Sequence, residues 1–256
     1  MTAELYVQRD QPPGVPPLHL TGERTLPDVP EENYWYQRHL VVYQWIAEHL
    51  AGRHVVDVAS GEGYGADVLA SRAASVLGIE PNPEAYEHAR LKYPRVTFRR
   101  DIAETFIEPC DAVVFLQTIE HVPDPDAVLE HFSSQLRPGG IAFVSTPNVL
   151  TLAPDGAEKS GNPWHVKEYR PEEFRALCEA HFGSVELLGL FHARKLRVHQ
   201  LAIEHAGWDT VHAKLGITKR FYDWFTPAIS ARDFALRVGG DEFLDRALDF
   251  LAVCRP

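Results

Sequence analysis

The chain has 256 residues, 45% of them hydrophobic and 24% charged, with a net charge of −11. That length can bury a full core without covalent staples, and the acidity argues against a nucleic-acid partner, which is held by clustered Lys and Arg. Three scattered cysteines, Cys110, Cys178 and Cys254, form neither a disulfide framework nor a Cys-x-x-Cys metal site, and fit a reducing cytoplasm.

Met1 to Asp10 lacks the apolar core of a signal peptide, and no apolar run reaches membrane-spanning length, so a cytoplasmic chain without a membrane span is expected. Residues 1–30 read as an extended lead-in, because Gln-Pro-Pro-Gly-Val-Pro-Pro (11–17) supports neither helix nor central strand. Glu31 to Leu50 follows with helical spacing of Trp35, Leu40, Val41, Tyr43, Trp45, Ile46 and Leu50. Residues 31–256 are then expected to form a single domain.

The strongest local signal is Val55 to Gly65. Val55, Val56 and Val58 flank Asp57 in a β-branched run that breaks into glycines at 61, 63 and 65. Ala66-Asp67-Val68-Leu69-Ala70 then has the composition of a helix. The pattern is strand, tight turn, helix, in which glycines let the backbone bend sharply and let a ligand approach the main chain. The spacing is neither the dinucleotide Gly-x-Gly-x-x-Gly nor a P-loop. A glycine turn that holds no ligand remains the bland alternative.

Further strands are expected at Ser75 to Ile79, Arg95 to Asp101, Cys110 to Leu116, Ile141 to Ser145, Val185 to His192 and Ala247 to Cys254. The second ends in Glu80, about 20 residues beyond Gly61, where a carboxylate can accept from both ribose hydroxyls. The third ends in Asp101, which could equally cap the following segment. After the fourth come Gln117-Thr118-Ile119-Glu120-His121-Val122-Pro123-Asp124-Pro125, and Arg137-Pro138-Gly139-Gly140 precedes the fifth. A polar loop at 149–170 carries Asn162, His165, Glu168 and Tyr169, followed by a helix from Pro171 to His181. Residues 198–240 form an aromatic-rich insertion before the last strand, readable as a substrate cap, a dimer interface or a satellite core.

Asp57-x-x-x-Gly61-x-Gly63-x-Gly65, with Glu80, Asp101, Ile119-Glu120-His121 and Leu136-Arg137-Pro138-Gly139-Gly140, resembles the class I S-adenosylmethionine-dependent methyltransferases. The resemblance runs over roughly residues 20 to 195. It implies an α/β fold, a Rossmann-like doubly wound sheet of seven strands, here with a helical insertion before the last. It implies S-adenosyl-L-methionine as cofactor, touched by Asp57, Ala59, Gly61, Gly63, Glu80, Pro81 and Gln117, with Asp101, Ile102 and Ala103 at the adenine. The helix before the first strand would lie over the cofactor, with Tyr34, Tyr36, Arg38 and His39 near its methionine end.

The Ile-Glu-His-Val-x-Asp-Pro run looks like O-methyltransferases of small molecules, including quinone-precursor and sugar-modifying enzymes. The Leu-Thr-Gly-Glu-Arg-Thr and Glu-Asn-Tyr-Trp-Tyr-x-Arg-His stretches are similar to actinobacterial enzymes of methylated polysaccharides. A sugar hydroxyl is therefore the expected acceptor, a phenolic or other small hydroxyl the alternative, and a non-catalytic binding module the contrasting class. His121 is the first candidate base, Glu120 its orienting partner and His165 the second base. Some quinone-precursor relatives hold a divalent ion through Glu-x-x-Glu-His; Gln117 replaces the first acid here, so a metal on Glu120 and His121 is not favoured. The acceptor is expected to be a small molecule or glycan, and a homodimer is the one protein partner considered.

Overall fold

A computed structural model describes residues 7–22, 24–154 and 157–256. Residues 1–6 and Glu23 of the expected lead-in, and Asp155 and Gly156 of the 149–170 loop, lie outside the described residues. Among the described residues, no helix is long and apolar enough to cross a membrane.

A single 3-10 turn at Pro30–Glu32 leads into α1 (Asn33–Ala47), then β1 (His54–Val58), α2 (Tyr64–Leu69), β2 (Ser75–Ile79), α3 (Pro83–Lys92), β3 (Thr97–Arg99) and β4 (Cys110–Leu116). A second 3-10 turn, Ile119–His121, precedes α4 (Pro125–Gln135), β5 (Leu136–Pro147), α5 (Val149–Leu152), α6 (Pro171–Glu179) and β6 (Ser184–His192). The remainder is α7 (Arg194–Ala206), α8 (Trp208–Lys214), α9 (Thr218–Phe225), two 3-10 turns (Thr226–Ala228 and Ala231–Asp233), β7 (Phe234–Val238), α10 (Asp241–Leu244) and β8 (Asp249–Arg255).

The strands form one sheet in the order β3-β2-β1-β4-β5-β8-β6-β7. From β3 to β5 all pairs are parallel, while β8 is antiparallel to both β5 and β6. All seven expected strands form. The eighth, β7, comes from the end of the 198–240 insertion and adds an antiparallel edge to β6. Its Phe-Ala-Leu-Arg-Val is a short β-prone run that the neighbouring aromatic helices mask in the sequence. The Arg137–Gly140 segment falls within β5 as a register shift, with Gly139 at φ +79°.

Strand residues alternate between two core layers, which explains the near-continuous apolar runs of a sheet covered on both faces. Val55 faces the layer of α1 and α2, with Ile46, Leu69 and Leu251. Val56 and Val58 face the other, with Phe115, Phe132, Phe174 and Phe250. Asn82 caps α3 by accepting from the amides of Glu84 and Ala85, each at 3.0 Å. Pro83 then occupies the first turn, where its missing N–H costs nothing.

The lead-in doubles back rather than running free. Val7 bridges to His19 in antiparallel fashion, and Leu18, Leu26 and Val29 are buried with Ala85 of α3.

The glycines of the turn have distinct tasks. A Cβ on Gly65 would sit 2.1 Å from the Tyr43 ring, so this glycine lets α1 close onto α2. A Cβ on Gly63, which holds φ +99°, would meet Ala89 Cβ at 2.8 Å and Tyr93 at 2.9 Å. Around Gly61 nothing lies within 4 Å. Of the three turn glycines, only Gly61 faces open space. Gly65→Ala is expected to destabilise the chain by about 2–3 kcal/mol through overpacking, read as a drop in melting temperature of about 4–12 °C.

Candidate functional site

In a doubly wound sheet the ligand crevice lies outside the carboxyl ends of the strands, where the strand order reverses. Here that point lies between β1 and β4. The structure brings Asp57, Ala59, Gly61, Gly63, Glu80, Pro81, Asp101, Ile102, Ala103 and Gln117 to the carboxyl ends of four neighbouring strands, β3, β2, β1 and β4.

Two of these residues hold left-handed backbone without being glycine: Ala59 at φ +58° and Gln117 at φ +51°. Such conformations persist only where surrounding structure imposes them, and they concentrate at functional sites. Gln117 is imposed upon by Ser145 of β5. The Gln117 N–H reaches the Ser145 carbonyl at 3.1 Å, and its side-chain amide donates to the Ser145 hydroxyl at 3.1 Å. The bend aims the following Ile119–His121 turn over the mouth of β4 and β5.

Around the glycine turn, polar groups await a ligand. Asp57 is fully buried and receives the Tyr43 hydroxyl at 3.4 Å on one oxygen, while its Oδ2 and the buried Ser60 hydroxyl have no protein partner. Burial, opposed by the Tyr43 hydrogen bond and reinforced by Glu80, pushes the Asp57 carboxyl up to about 8. Glu80 accepts the amides of Gly61 and Asn82, each at 2.9 Å. Burial raises its carboxyl, against the pull of those two amides and of Arg24. Orphaned buried polar atoms beside an uncrowded glycine fit a ligand rich in hydroxyl and amino groups, as S-adenosylmethionine is. Asp101 also serves locally, accepting the Ile102 amide at 3.0 Å and pairing with Arg99 at 3.5 Å.

A second cluster stands on the β4–β5 side. The amides of Val166 and Lys167 donate to the Glu120 carbonyl at 2.8 and 3.2 Å, lacing the 160–168 loop to the Ile119–His121 turn. This brings His165 against His121, with ring centroids 4.9 Å apart. His121 Nδ1 lies 2.9 Å from the Trp164 carbonyl. A carbonyl only accepts, so Nδ1 carries the proton and Nε2 is the basic nitrogen. His165 is held at both nitrogens, Nδ1 by Glu168 at 2.6 Å and Nε2 by Asn162 at 2.9 Å. Burial pushes the Glu168 carboxyl up, but the Ser160 hydroxyl and amide together with His165 outweigh it and leave Glu168 below the ordinary carboxylate range.

Glu120 is buried and accepts the Thr146 hydroxyl at 3.1 Å. Burial, aided by the charges of Asp249 and Glu168, pushes its carboxyl up to about 8. Because that value exceeds the ordinary one near 4.5, folding takes up a proton here. The stability it contributes is complete below about pH 4.5, declines as pH rises, and is lost above about pH 8. Glu120→Gln, neutral at every pH, should therefore match wild type in melting temperature at pH 5 and exceed it by several degrees at pH 9. A difference that stays flat with pH would contradict the assignment.

Glu120, His121 and His165 each offer a donor atom within 4.8 Å of the others, so the pair that the sequence did not favour as metal ligands gains a third potential one from the 160–168 loop. One carboxylate and two imidazoles suit a transition metal better than magnesium or calcium.

The structure separates two α1 residues that the sequence reading put together. Tyr36 packs edge-on to Tyr64 beside the glycine turn, ring centroids 5.1 Å apart. Arg38 points instead to the β8 side, donating to Asp249 through Nε at 2.7 Å and Nη2 at 2.5 Å, and to the Leu248 carbonyl at 2.9 Å. Tyr34 meets His192, at the end of β6, at 2.8 Å.

Sequence reasoning missed Asp249, whose only signal is an acid at the head of an apolar strand. It also missed Glu62, buried between two turn glycines and bound by Gln8 (3.0 Å), His88 (2.9 Å), Lys92 (2.7 Å) and Tyr93 (2.7 Å). No spacing rule announces partners that distant in sequence.

Comparison with known proteins agrees with this geometry. Residues 34–201 match the family model described as a methyltransferase domain. A probable S-adenosylmethionine-dependent methyltransferase of Mycolicibacterium smegmatis is 38% identical over 250 residues, covering 93% of this chain and 96% of the relative. A ubiquinone biosynthesis O-methyltransferase of Aromatoleum aromaticum is 30% identical over 200 residues, covering 68% and 83% respectively. Among solved structures, an S-adenosylmethionine-dependent methyltransferase from Thermotoga maritima shares the fold with a TM-score of 0.59 at 16% identity, covering 88% of this chain and 94% of that one. With the strand-order reversal between β1 and β4, the methyltransferase family match over residues 34–201 and a relative aligned over 93% of its length, the chain belongs to the class I S-adenosylmethionine-dependent methyltransferases.

Proposed function

We propose that the chain methylates an oxygen, and that the acceptor is a hydroxyl of a sugar or polysaccharide. The observation that carries the oxygen assignment is the tautomer of His121, whose Nδ1 is committed to the Trp164 carbonyl. S-adenosylmethionine supplies an electrophilic methyl group when bound. The chain must then place an acceptor hydroxyl in line with that methyl, which is worth on the order of 7–11 kcal/mol, and remove the hydroxyl proton. His121 Nε2 takes that proton in this reading. Glu120, protonated below pH 8, donates a hydrogen bond rather than repelling the developing alkoxide. His165, held by Glu168 and Asn162, walls the cleft and is the reserve base.

Asp57, Ala59, Gly61, Gly63, Glu80 and Pro81 are proposed to hold the cofactor's amino-acid and ribose portions, with Asp101, Ile102 and Ala103 at the adenine. Tyr36 and Gln117 border its methionine end, and Arg38 supports that end indirectly by fixing α1. Glu80→Ala would remove the carboxylate that, in this reading, accepts both ribose hydroxyls, each charge-assisted hydrogen bond being worth about 1.5–3 kcal/mol. It should weaken S-adenosylhomocysteine binding at least about 100-fold in calorimetric titration.

The sugar preference rests on sequence likeness to polysaccharide-modifying enzymes; the ubiquinone-pathway relative favours a phenolic acceptor as the second reading. Incubation with labelled S-adenosylmethionine and parallel glycan and catechol panels separates them. Label on catechols alone would overturn the sugar reading. A metal-assisted variant is favoured by the Glu120, His121 and His165 donor set. Full activity after chelation and dialysis would remove it.

A further inference from the structure

The insertion has an inner and an outer face. Inward, Phe221 of α9 gathers the three helices: His199 of α7 stacks on it at 5.6 Å, and Trp208 and His212 of α8 lie at 5.5 and 6.1 Å. Phe225 and Leu196 join this cluster to the main core. Outward, the same helices expose large apolar side chains. Val198 of α7 is 67% exposed, Leu215 at the end of α8 65%, and Trp224 of α9 69%, with Leu201 and Val211 also exposed. Large apolar side chains exposed on three successive, mutually packed helices mark an interaction surface.

The charges around these side chains identify the partner. Exposed Arg194 lies one helical turn from Val198, Arg197 one turn from Leu201, and Arg220 one turn from Trp224; Lys214 adjoins Leu215. Residues 194–225 hold six cations against three acids in a chain whose net charge is −11. The core of a protein–protein interface is depleted in lysine and in charge generally, and two copies of this face would bring like charge together. Apolar side chains interleaved with long cationic ones are instead the pattern of helices lying in a lipid interface, where cationic heads reach headgroups while their stems and an indole sink below.

We infer that the outer face of α7, α8 and α9 docks on an anionic lipid surface. The acidic remainder of the chain is repelled by such a surface while this face is drawn to it, so the charge distribution sets the orientation of approach. Docking also bears on the site. α7 follows β6, whose last residue His192 meets Tyr34, and Asn33 of α1 donates to the carbonyls of Thr226 and Ile229 just beyond α9. The docked face therefore stands at the end of the sheet where the cleft opens.

The test is co-sedimentation of the full chain with vesicles of phosphatidylcholine alone or mixed equally with phosphatidylglycerol. Wild type is expected to partition at least tenfold more strongly onto the anionic vesicles, and to be released as salt rises. The double substitution Trp224→Ser with Leu215→Ser should lose at least tenfold of that partitioning while binding S-adenosylhomocysteine as wild type does, which keeps folding out of the result. Absence of sedimentation, equal sedimentation with both vesicles, or unchanged partitioning of the variant would each overturn the inference. So would a wild-type dimer in light scattering that these substitutions dissolve, with no vesicle binding, since the face would then belong to a second copy.

Discussion

His121→Ala is expected to reduce turnover by about 10²–10⁴-fold, the range a positioned general base contributes, while leaving S-adenosylhomocysteine affinity within about twofold of wild type. The split follows from geometry. The imidazole rides on the Ile119–His121 turn, held by the Trp164 carbonyl, while the glycine turn and Glu80, proposed to hold the cofactor, follow β1 and β2. Steady-state rates on the acceptor that supports transfer, paired with calorimetry, read both effects. Unchanged turnover would move the base to His165. His165→Ala serves as the internal comparison: with both nitrogens engaged by Asn162 and Glu168, its removal should loosen the loop and raise KM more than it lowers kcat.

The second large effect is on stability. Asp249→Ala leaves the Arg38 guanidinium buried without its carboxylate, and breaking a buried pair in this one-sided way costs about 3–5 kcal/mol. At this chain length that corresponds to a melting temperature lower by about 10 °C. The pair joins α1, whose Tyr36 packs against Tyr64 beside the glycine turn, to the head of β8. Its loss should therefore also weaken cofactor binding, although neither residue contacts the glycine turn. Asp249→Asn, which retains acceptor atoms for Arg38, should fall between wild type and alanine. A shift of less than about 2 °C for the alanine variant would mean that water reaches the guanidinium and that the pair is not sealed.

The sheet was legible because its signals are local. Five parallel strands buried on both faces must be apolar runs, and each βα turn must carry residues that tolerate its geometry: glycine at 61 and 63, proline at 83, asparagine at 82. The carboxylates at strand ends were legible for a related reason, since position at the end of a strand is itself a sequence observable. The side-chain directions were not. Tyr34, Tyr36 and Arg38 lie within five residues on one helix, yet Tyr36 reaches the glycine turn while Arg38 and Tyr34 reach β8 and β6. Helical periodicity of 3.6 residues turns neighbours to different faces, but nothing local says what waits on each. The edge strand β7 was hidden likewise, because its pairing with β6 is an agreement between segments some 45 residues apart.

Glu62 constrains how such a chain can change over evolutionary time. It occupies a spacer position of the glycine motif, one that the motif leaves undefined, yet its carboxylate is shared by Gln8, His88, Lys92 and Tyr93. A drift to an apolar residue at 62 would strand a lysine and an amide together, and a drift at Lys92 would strand an acid. A change at any one of the five positions leaves a polar group of the others without a partner. Gln8 lies well before residue 34, where the family match begins, so the heritable unit of this enzyme extends beyond the boundary by which its family is recognised. Exchanging its first thirty residues for a segment that places no donor at position 8 would leave Glu62 short of one buried hydrogen bond and lower stability.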